Sequence, residues 1–335
     1  GPAGVNQGLA SNYTLTGGTQ DYTITQRVLN SSGSKTYDAN RNALAADISL
    51  TNLVVGETLN HSGTAAISSA NAGSYTITNL AGISLADNTG LASNYTLTGG
   101  THNFTVNPKV ISLSGTRLYD ATTNAVASDL TTISGRVGAE TLTLSGTGTL
   151  SDANVATNKT VGVGTLALGD GTGLAANYTL SGGTHQLTVD KRPLAATIAR
   201  QYDGTKTVAG SDLSSFDALQ GGETLTLSGS GTVGDENVAN GQGVTLGTLA
   251  LVDGTGLASN YSLNSASLNI TERVLNSSGS KFYDANTNAL AADISLTNLV
   301  VGEALNHSGT ATISSANAGS YTITNLAGIT IADGR

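Results

Sequence analysis

Apolar and polar residues alternate along most of this chain. Thr141-Leu142-Thr143-Leu144 and Thr224-Leu225-Thr226-Leu227 do so, as do Val161-Gly162-Val163-Gly164-Thr165-Leu166-Ala167-Leu168 and Leu187-Thr188-Val189. A period of two puts one set of side chains on a core and the other in water, so the runs predict short, half-buried β-strands. Turn signals fall between them: Ser145-Gly146, Gly99-Gly100, Gly182-Gly183, Asp170-Gly171 and Asp253-Gly254. Stretches rich in Glu, Lys and Gln are few, which argues against long helices. One short helix is expected over 42–48 and its copies. The pattern therefore predicts an all-β chain with about six strands per unit.

The unit is defined by repetition. Residues 27–83 recur almost letter for letter at 273–329, an offset of 246 residues. Two more divergent copies lie between. A Tyr-Asp pair opens each copy, at Tyr37-Asp38, Tyr119-Asp120, Tyr202-Asp203 and Tyr283-Asp284, spaced by 82, 83 and 81 residues. A Gly/Ala-Glu-Thr/Ala-Leu motif follows at Glu57, Glu140, Glu223 and Glu303. An Asn-Tyr motif comes next, with Tyr13, Tyr95, Tyr178 and Tyr261. A period of this size implies small domains rather than the turns of a solenoid.

Pro and charge cluster at the joins: Asn107-Pro108-Lys109, Asp190-Lys191-Arg192-Pro193 and Thr271-Glu272-Arg273. They divide the chain into repeat 1 (27–107), repeat 2 (108–190), repeat 3 (191–271) and repeat 4 (272–335). Residues 1–26 match the terminal strands of a preceding repeat. Short, Pro-stiffened joins favour a semi-rigid rod of small β-sandwich or β-grasp-like domains. Residues 1–25 map onto 83–107, and repeat 4 reaches only the equivalent of residue 89. The two ends together make one repeat, so end-to-end self-association by strand addition is an expectation; four self-contained units are the alternative. Gly1-Pro2-Ala3-Gly4 reads as a protease-cleavage scar, with neither an initiating Met nor a signal peptide, so the sequence reads as a fragment.

Composition narrows the function. The net charge of −9 argues against nucleic acid, whose affinity rests on Lys and Arg, and against an anionic membrane surface. No apolar run approaches the roughly 20 residues that span a bilayer as a helix. The absence of Cys excludes disulfides, thiol catalysis and Cys-based zinc sites.

Each candidate site has a structural reading beside the chemical one. The Tyr-Asp pair reads as an inward Tyr at a strand end with an Asp that binds nearby backbone amides. Tyr95, Tyr178 and Tyr261 read as inward residues after an Asn turn. Asp87, Asp170 and Asp253 share one loop position in Asp-x-Thr-Gly and are weak calcium candidates, with Asx-turns the simpler account. His61, His102, His185 and His307 lack partners at zinc-ligand spacing. Asn12, Asn94, Asn177 and Asn260 stand in glycosylation triplets. Nothing resembles a nucleophile elbow, no cofactor motif is found, and the chain is not expected to be an enzyme.

Tyr202-Asp203-Gly204-Thr205, then Gly-Glu-Thr-Leu, then Ala176–Leu180 (Ala-Asn-Tyr-Thr-Leu), then Lys191-Arg192-Pro193-Leu194 form an ordered set. The chain resembles the YDG/MBG-type repeats of large bacterial exoproteins, the filamentous-haemagglutinin-like adhesins exported by two-partner secretion. The resemblance covers essentially the whole chain. It implies an extracellular or cell-surface location and a stalk that projects a binding region for cell adhesion or a biofilm matrix. Polysaccharide or a host surface would be the partner of the full-length protein. A carbohydrate-binding array is the alternative; it needs exposed aromatic platforms, and Trp is absent.

Overall fold

A computed structural model describes residues 8–334. Gly1-Pro2-Ala3-Gly4, read above as a cleavage scar, lies outside the described residues. The described chain is all-β, with short strands joined by turns and single 3-10 turns. Within residues 27–107 nine strands form, more than the six expected from alternation alone. The additional ones are two or three residues long, too short to show a period.

The first long strand of a repeat lies parallel to its last. In repeat 1, Asn30–Thr36 pairs in parallel with His102–Asn107, from Ser31↔His102 to Thr36↔Asn107. Ile48–Thr51 joins antiparallel on one side and Gly73–Thr76 on the other. The result is a four-stranded mixed sheet. A second, antiparallel sheet holds Asn42–Leu44, Asn60–Ala66 and Ile83–Ala86. Repeat 3 builds the same mixed sheet from Leu213–Phe216, Arg192–Gln201, Tyr261–Thr271 and Ala239–Gly243. The parallel pair positions everything else: it sets the first and last strands side by side and leaves the entry and the exit of a repeat at opposite ends of that pair.

The core sits between the sheets. In repeat 3, Ala196 and Ile198 of the first strand and Leu268 and Ile270 of the last pack with Val208, Leu227, Val233 and Leu249 from the other strands. Alternation makes this possible, since Arg192–Gln201 turns Leu194, Ala196 and Ile198 inward. Each fully buried Leu, Ile or Val side chain here contributes about 1.5–3 kcal/mol relative to leaving it exposed.

The helix expected over 42–48 does not form. That segment is the strand Asn42–Leu44, a 3-10 turn Ala45–Asp47 and the strand Ile48–Thr51. Pairing of its flanks with two different sheets leaves only one turn between them. Among the described residues no helix is long and apolar enough to cross a membrane.

The chain divides into two compact units, residues 1–115, 125–149 and 160–186 in one and residues 116–124, 150–159 and 187–335 in the other. The border runs through repeat 2. Each meeting of consecutive repeats described below therefore lies wholly within one unit.

Candidate functional site at the junction between repeats

The Tyr-Asp turn stands where the first long strand ends. The Tyr37 amide donates to Asn107 O at 2.8 Å, and Tyr119 and Tyr202 make the same bond to Asp190 and Thr271. This places each Tyr at the terminal edge of its repeat. Its Asp shapes the turn: Asp38 Oδ1 accepts the Asn40 amide at 3.1 Å, and Asp120 and Asp203 accept the Thr122 and Thr205 amides. A cation closes the loop beneath. Lys35 Nζ lies 2.9 Å from Asp38 and donates to the carbonyls of Asn40 and Asn42. Arg117, Arg200 and Lys281 occupy that place in the other repeats, with Asp120, Asp203 and Asp284. Burial pushes the Asp38 carboxyl up, but the bonds from Lys35 and the Asn40 amide outweigh it and hold it below the usual carboxylate range.

The Glu motif forms the other half. A tight turn carries it: the Glu57, Glu140 and Glu223 amides donate to Val54, Val137 and Gln220 O. Tyr95, Tyr178 and Tyr261 of the same repeats are buried beside this turn. Each hydroxyl accepts the amide of the turn's first residue and donates to its own Glu. Gly173 and Gly256, from the Asp-x-Thr-Gly loops, leave room for the carboxylate: a Cβ there would stand 2.5 and 2.6 Å from the Glu140 and Glu223 carboxylates and would displace them.

These halves meet across repeats. Tyr37 of repeat 1 donates its hydroxyl to Glu140 Oε1 of repeat 2 at 2.7 Å, while Tyr178 donates to Oε2. Tyr119 of repeat 2 donates to Glu223 Oε1 of repeat 3 at 2.6 Å, and Tyr261 to Oε2 at 2.6 Å. Tyr202 donates to Glu303 of repeat 4. One carboxylate thus receives two tyrosine hydroxyls, one from each side of the junction. The rings meet edge to face, Tyr37 with Tyr178 at 5.4 Å and Tyr119 with Tyr261 at 5.3 Å, both at 77°. Such pairing adds to the burial of the rings.

An Asn forms a second arm. Asn177 Oδ1 accepts the Ala72 amide at 2.8 Å and its Nδ2 donates to Asn71 Oδ1 at 3.1 Å. Asn260 does the same with Val155 and Asn154 at 2.9 Å each. Both are 1% exposed, so these two glycosylation triplets are sealed inside the junctions; Asn94 is exposed.

The environment keeps the tyrosines neutral. Burial, then the bond to Glu140, pushes the Tyr37 hydroxyl up to about 12. Burial and Glu223 push Tyr261 to about 12 and raise Tyr119 as well. Tyr178 rises for the same reasons, burial first, then Glu140. For Tyr95 and Tyr202 the bond to Glu57 or Glu303 is the larger cause. A hydroxyl that donates to a carboxylate resists becoming a second anion beside it.

Four consecutive segments, residues 23–103, 101–188, 183–269 and 266–335, match the YDG domain. The chain belongs to the YDG domain family. No curated protein matches it. The third position of the Tyr-Asp-Gly turn now has a reason. Gly204 sits at φ 72°, and Ala39, Ala121 and Ala285 hold the same left-handed conformation at 64°, 62° and 57°. Glycine adopts it freely, whereas Ala pays a steric cost of about 1–2 kcal/mol.

The other candidates in the YDG repeats find local partners. Asp87, Asp170 and Asp253 each accept an amide of the following 3-10 turn, from Ala92, Ala175 and Ala258 at 2.7, 2.7 and 2.6 Å. Among the described residues no three His, Cys, Asp or Glu side chains gather as a metal site. His102 and His185 are buried with a ring nitrogen on Leu97 O and Leu180 O; His61 and His307 contact Ile48 O and Ile294 O.

Sequence reading marked both the Tyr-Asp and the Glu motifs but did not pair them. Their recurrence in every copy was the available signal. Asn71 and Asn154, the acceptors for Asn177 and Asn260, also recur, at Asn237 and Asn317, but nothing local ties them to the Asn of the following repeat.

Proposed function

We propose that this array of YDG repeats is a non-enzymatic stalk or spacer segment of a secreted or cell-surface bacterial adhesin. In this reading it holds a binding region away from its anchorage for cell adhesion or within a biofilm matrix. The observation that carries it is the repeated junction: the same two-tyrosine clamp on one carboxylate, made twice in full, with an Asn arm at both. A clamp that fixes how one repeat meets the next is what a stiff spacer requires and a string of independent binding modules does not. Its tyrosines are used up in the process. Tyr37, Tyr95, Tyr119, Tyr178 and Tyr261 are buried, so their ring faces are not available as sugar platforms. Contact with polysaccharide or a host matrix then belongs to the larger protein. The extracellular location follows from the same adhesin reading.

Small-angle X-ray scattering tests it. A compact globule of this length has a radius of gyration of about 20 Å, and four repeats end to end should give about 35–45 Å. The larger value is expected. A value near the smaller one would mean that the repeats fold back on one another and would overturn the stalk.

A further inference from the structure

Oxidising equivalents that reach this chain have few places to stop. Cys and Met, which oxidants consume first in most proteins, are absent, and so is Trp. Tyrosine, present 11 times, is therefore the side chain that gives up one electron most easily. Four of the tyrosines are held in pairs across the junctions. The ring centroids of Tyr37 and Tyr178 are 5.4 Å apart and those of Tyr119 and Tyr261 5.3 Å, with 77° between the planes in both pairs. All four residues are buried. In each pair the two hydroxyls converge on the two oxygens of one carboxylate, Glu140 for the first pair and Glu223 for the second. The Cε carbons that flank the hydroxyls are thereby drawn towards one another.

This arrangement suits radical coupling. A tyrosine loses an electron readily only if its hydroxyl proton leaves too, because the oxidised phenol is a strong acid. A hydrogen-bonded carboxylate is an acceptor already in place for that proton. The resulting radical spreads over the oxygen and over the ring carbons ortho and para to it. The para carbon, Cγ, carries the side chain, so a new bond forms at an ortho carbon, Cε. Two phenol rings joined there stay twisted out of one plane by their own hydroxyls, and both pairs are already twisted.

We infer that the two junctions are sites of dityrosine formation, Tyr37 with Tyr178 and Tyr119 with Tyr261, under a haem peroxidase fed by hydrogen peroxide. Each ring loses one electron to the oxidant and its hydroxyl proton to Glu140 or Glu223. Both carboxylates are half-buried and pass the proton on to water. The two radicals join in a Cε–Cε bond. The hydrogen left on each bonded carbon then moves to that ring's oxygen and restores the phenol. One peroxide takes up the two electrons and two protons and becomes two waters. The rings need not touch the oxidant, since an electron tunnels through a thin layer of protein. The product fastens repeat 1 to repeat 2 and repeat 2 to repeat 3 covalently, and it removes freedom from the unfolded chain by closing long loops. Failure to couple would leave the stalk reading untouched, because the clamp itself needs no covalent bond.

Brief treatment of the 335-residue chain with a haem peroxidase and hydrogen peroxide, at low micromolar concentration, tests this by mass spectrometry. The monomer should lose two hydrogen atoms per link. Its digest should contain Tyr37 joined to Tyr178 and Tyr119 joined to Tyr261. Urea should abolish that preference by separating the partners. Tyr178→Phe keeps the ring but has no hydroxyl to oxidise, so it should remove the first link and leave the second. Glu140→Gln should slow the first link several-fold and leave the second at its wild-type rate; equal rates would overturn the proton path. Tyr13, Tyr22 and Tyr283 are 76%, 90% and 68% exposed and serve as the reference. Links spread over these three in proportion to exposure would overturn the inference. So would their oxidation with both junction pairs left intact.

Discussion

Glu223 and Glu57 occupy the same place in their repeats and are held differently. Glu223 accepts a hydroxyl from Tyr261 of its own repeat and one from Tyr119 of the repeat before. Glu57, among the described residues, accepts one, from Tyr95. No Tyr-Asp turn stands ahead of it in this sequence. The contrast extends to the Asn arm, because Asn260 is sealed on Asn154 and Val155 while Asn94 is exposed. The turn, the carboxylate and the in-repeat tyrosine are therefore a preformed half-site built by each repeat. The preceding repeat contributes only the second hydroxyl and the edge-to-face ring. Junction formation is docking onto an ordered receptor, which avoids the entropy of ordering a loop at the moment of contact.

The largest effect should come from removing the docking ring. Tyr119→Ala should cost about 3 kcal/mol or more, because a buried aromatic side chain is lost. Tyr283→Ala, at the equivalent but exposed position, should fall within about 0.5 kcal/mol. Chemical unfolding of the two variants decides it, and equal costs would break the distinction between docked and undocked turns. Removing the carboxylate comes next. Glu223→Ala should cost about 2 kcal/mol and Glu57→Ala about half as much, in proportion to the hydroxyls each accepts from a half-buried position.

Alkali should weaken the same contacts. The tyrosine hydroxyls titrate near 10 in the unfolded chain, and burial plus the carboxylate raise Tyr37 and Tyr261 to about 12. A folded value above the unfolded one means the contribution is fully present below pH ~10 and is lost as pH rises towards about 12. A pH titration of thermal stability should fall across that window in the wild type. The fall should be shallower in Tyr119→Phe, which keeps the ring but has no proton to lose. The smallest effect sharpens the family motif. Ala121→Gly relieves a left-handed Ala and should stabilise by a few tenths to about 1 kcal/mol, the steric gain being partly offset by the backbone entropy of glycine. Gly204→Ala should do the reverse.

How much was legible varied with the range of the interaction. Strands such as Leu142–Ser145, Leu225–Ser228 and His185–Asp190 follow from alternation, since their faces are set by neighbours two residues apart. The two-residue strands Arg27–Val28 and Tyr95–Thr96 carry no period and exist because they pair with each other in parallel. The segment 42–48 reads as helix on composition, yet the two sheets that claim its ends reduce it to one 3-10 turn. At the junction, Tyr37 was visible as an inward residue, but the oxygen it meets lies 103 residues further on.

The sequence by itself determined the all-β repeat, its period, and the residues that recur in every copy, because these depend on side-chain type and near spacing. Only the tertiary structure decided what the recurring residues do. The parallel pairing of first and last strands carries the Tyr-Asp turn to the edge of its repeat, and packing then sets it against the next repeat's Glu. That contact joins residues about a hundred positions apart, so no local pattern encodes it and only the folded edges bring it about.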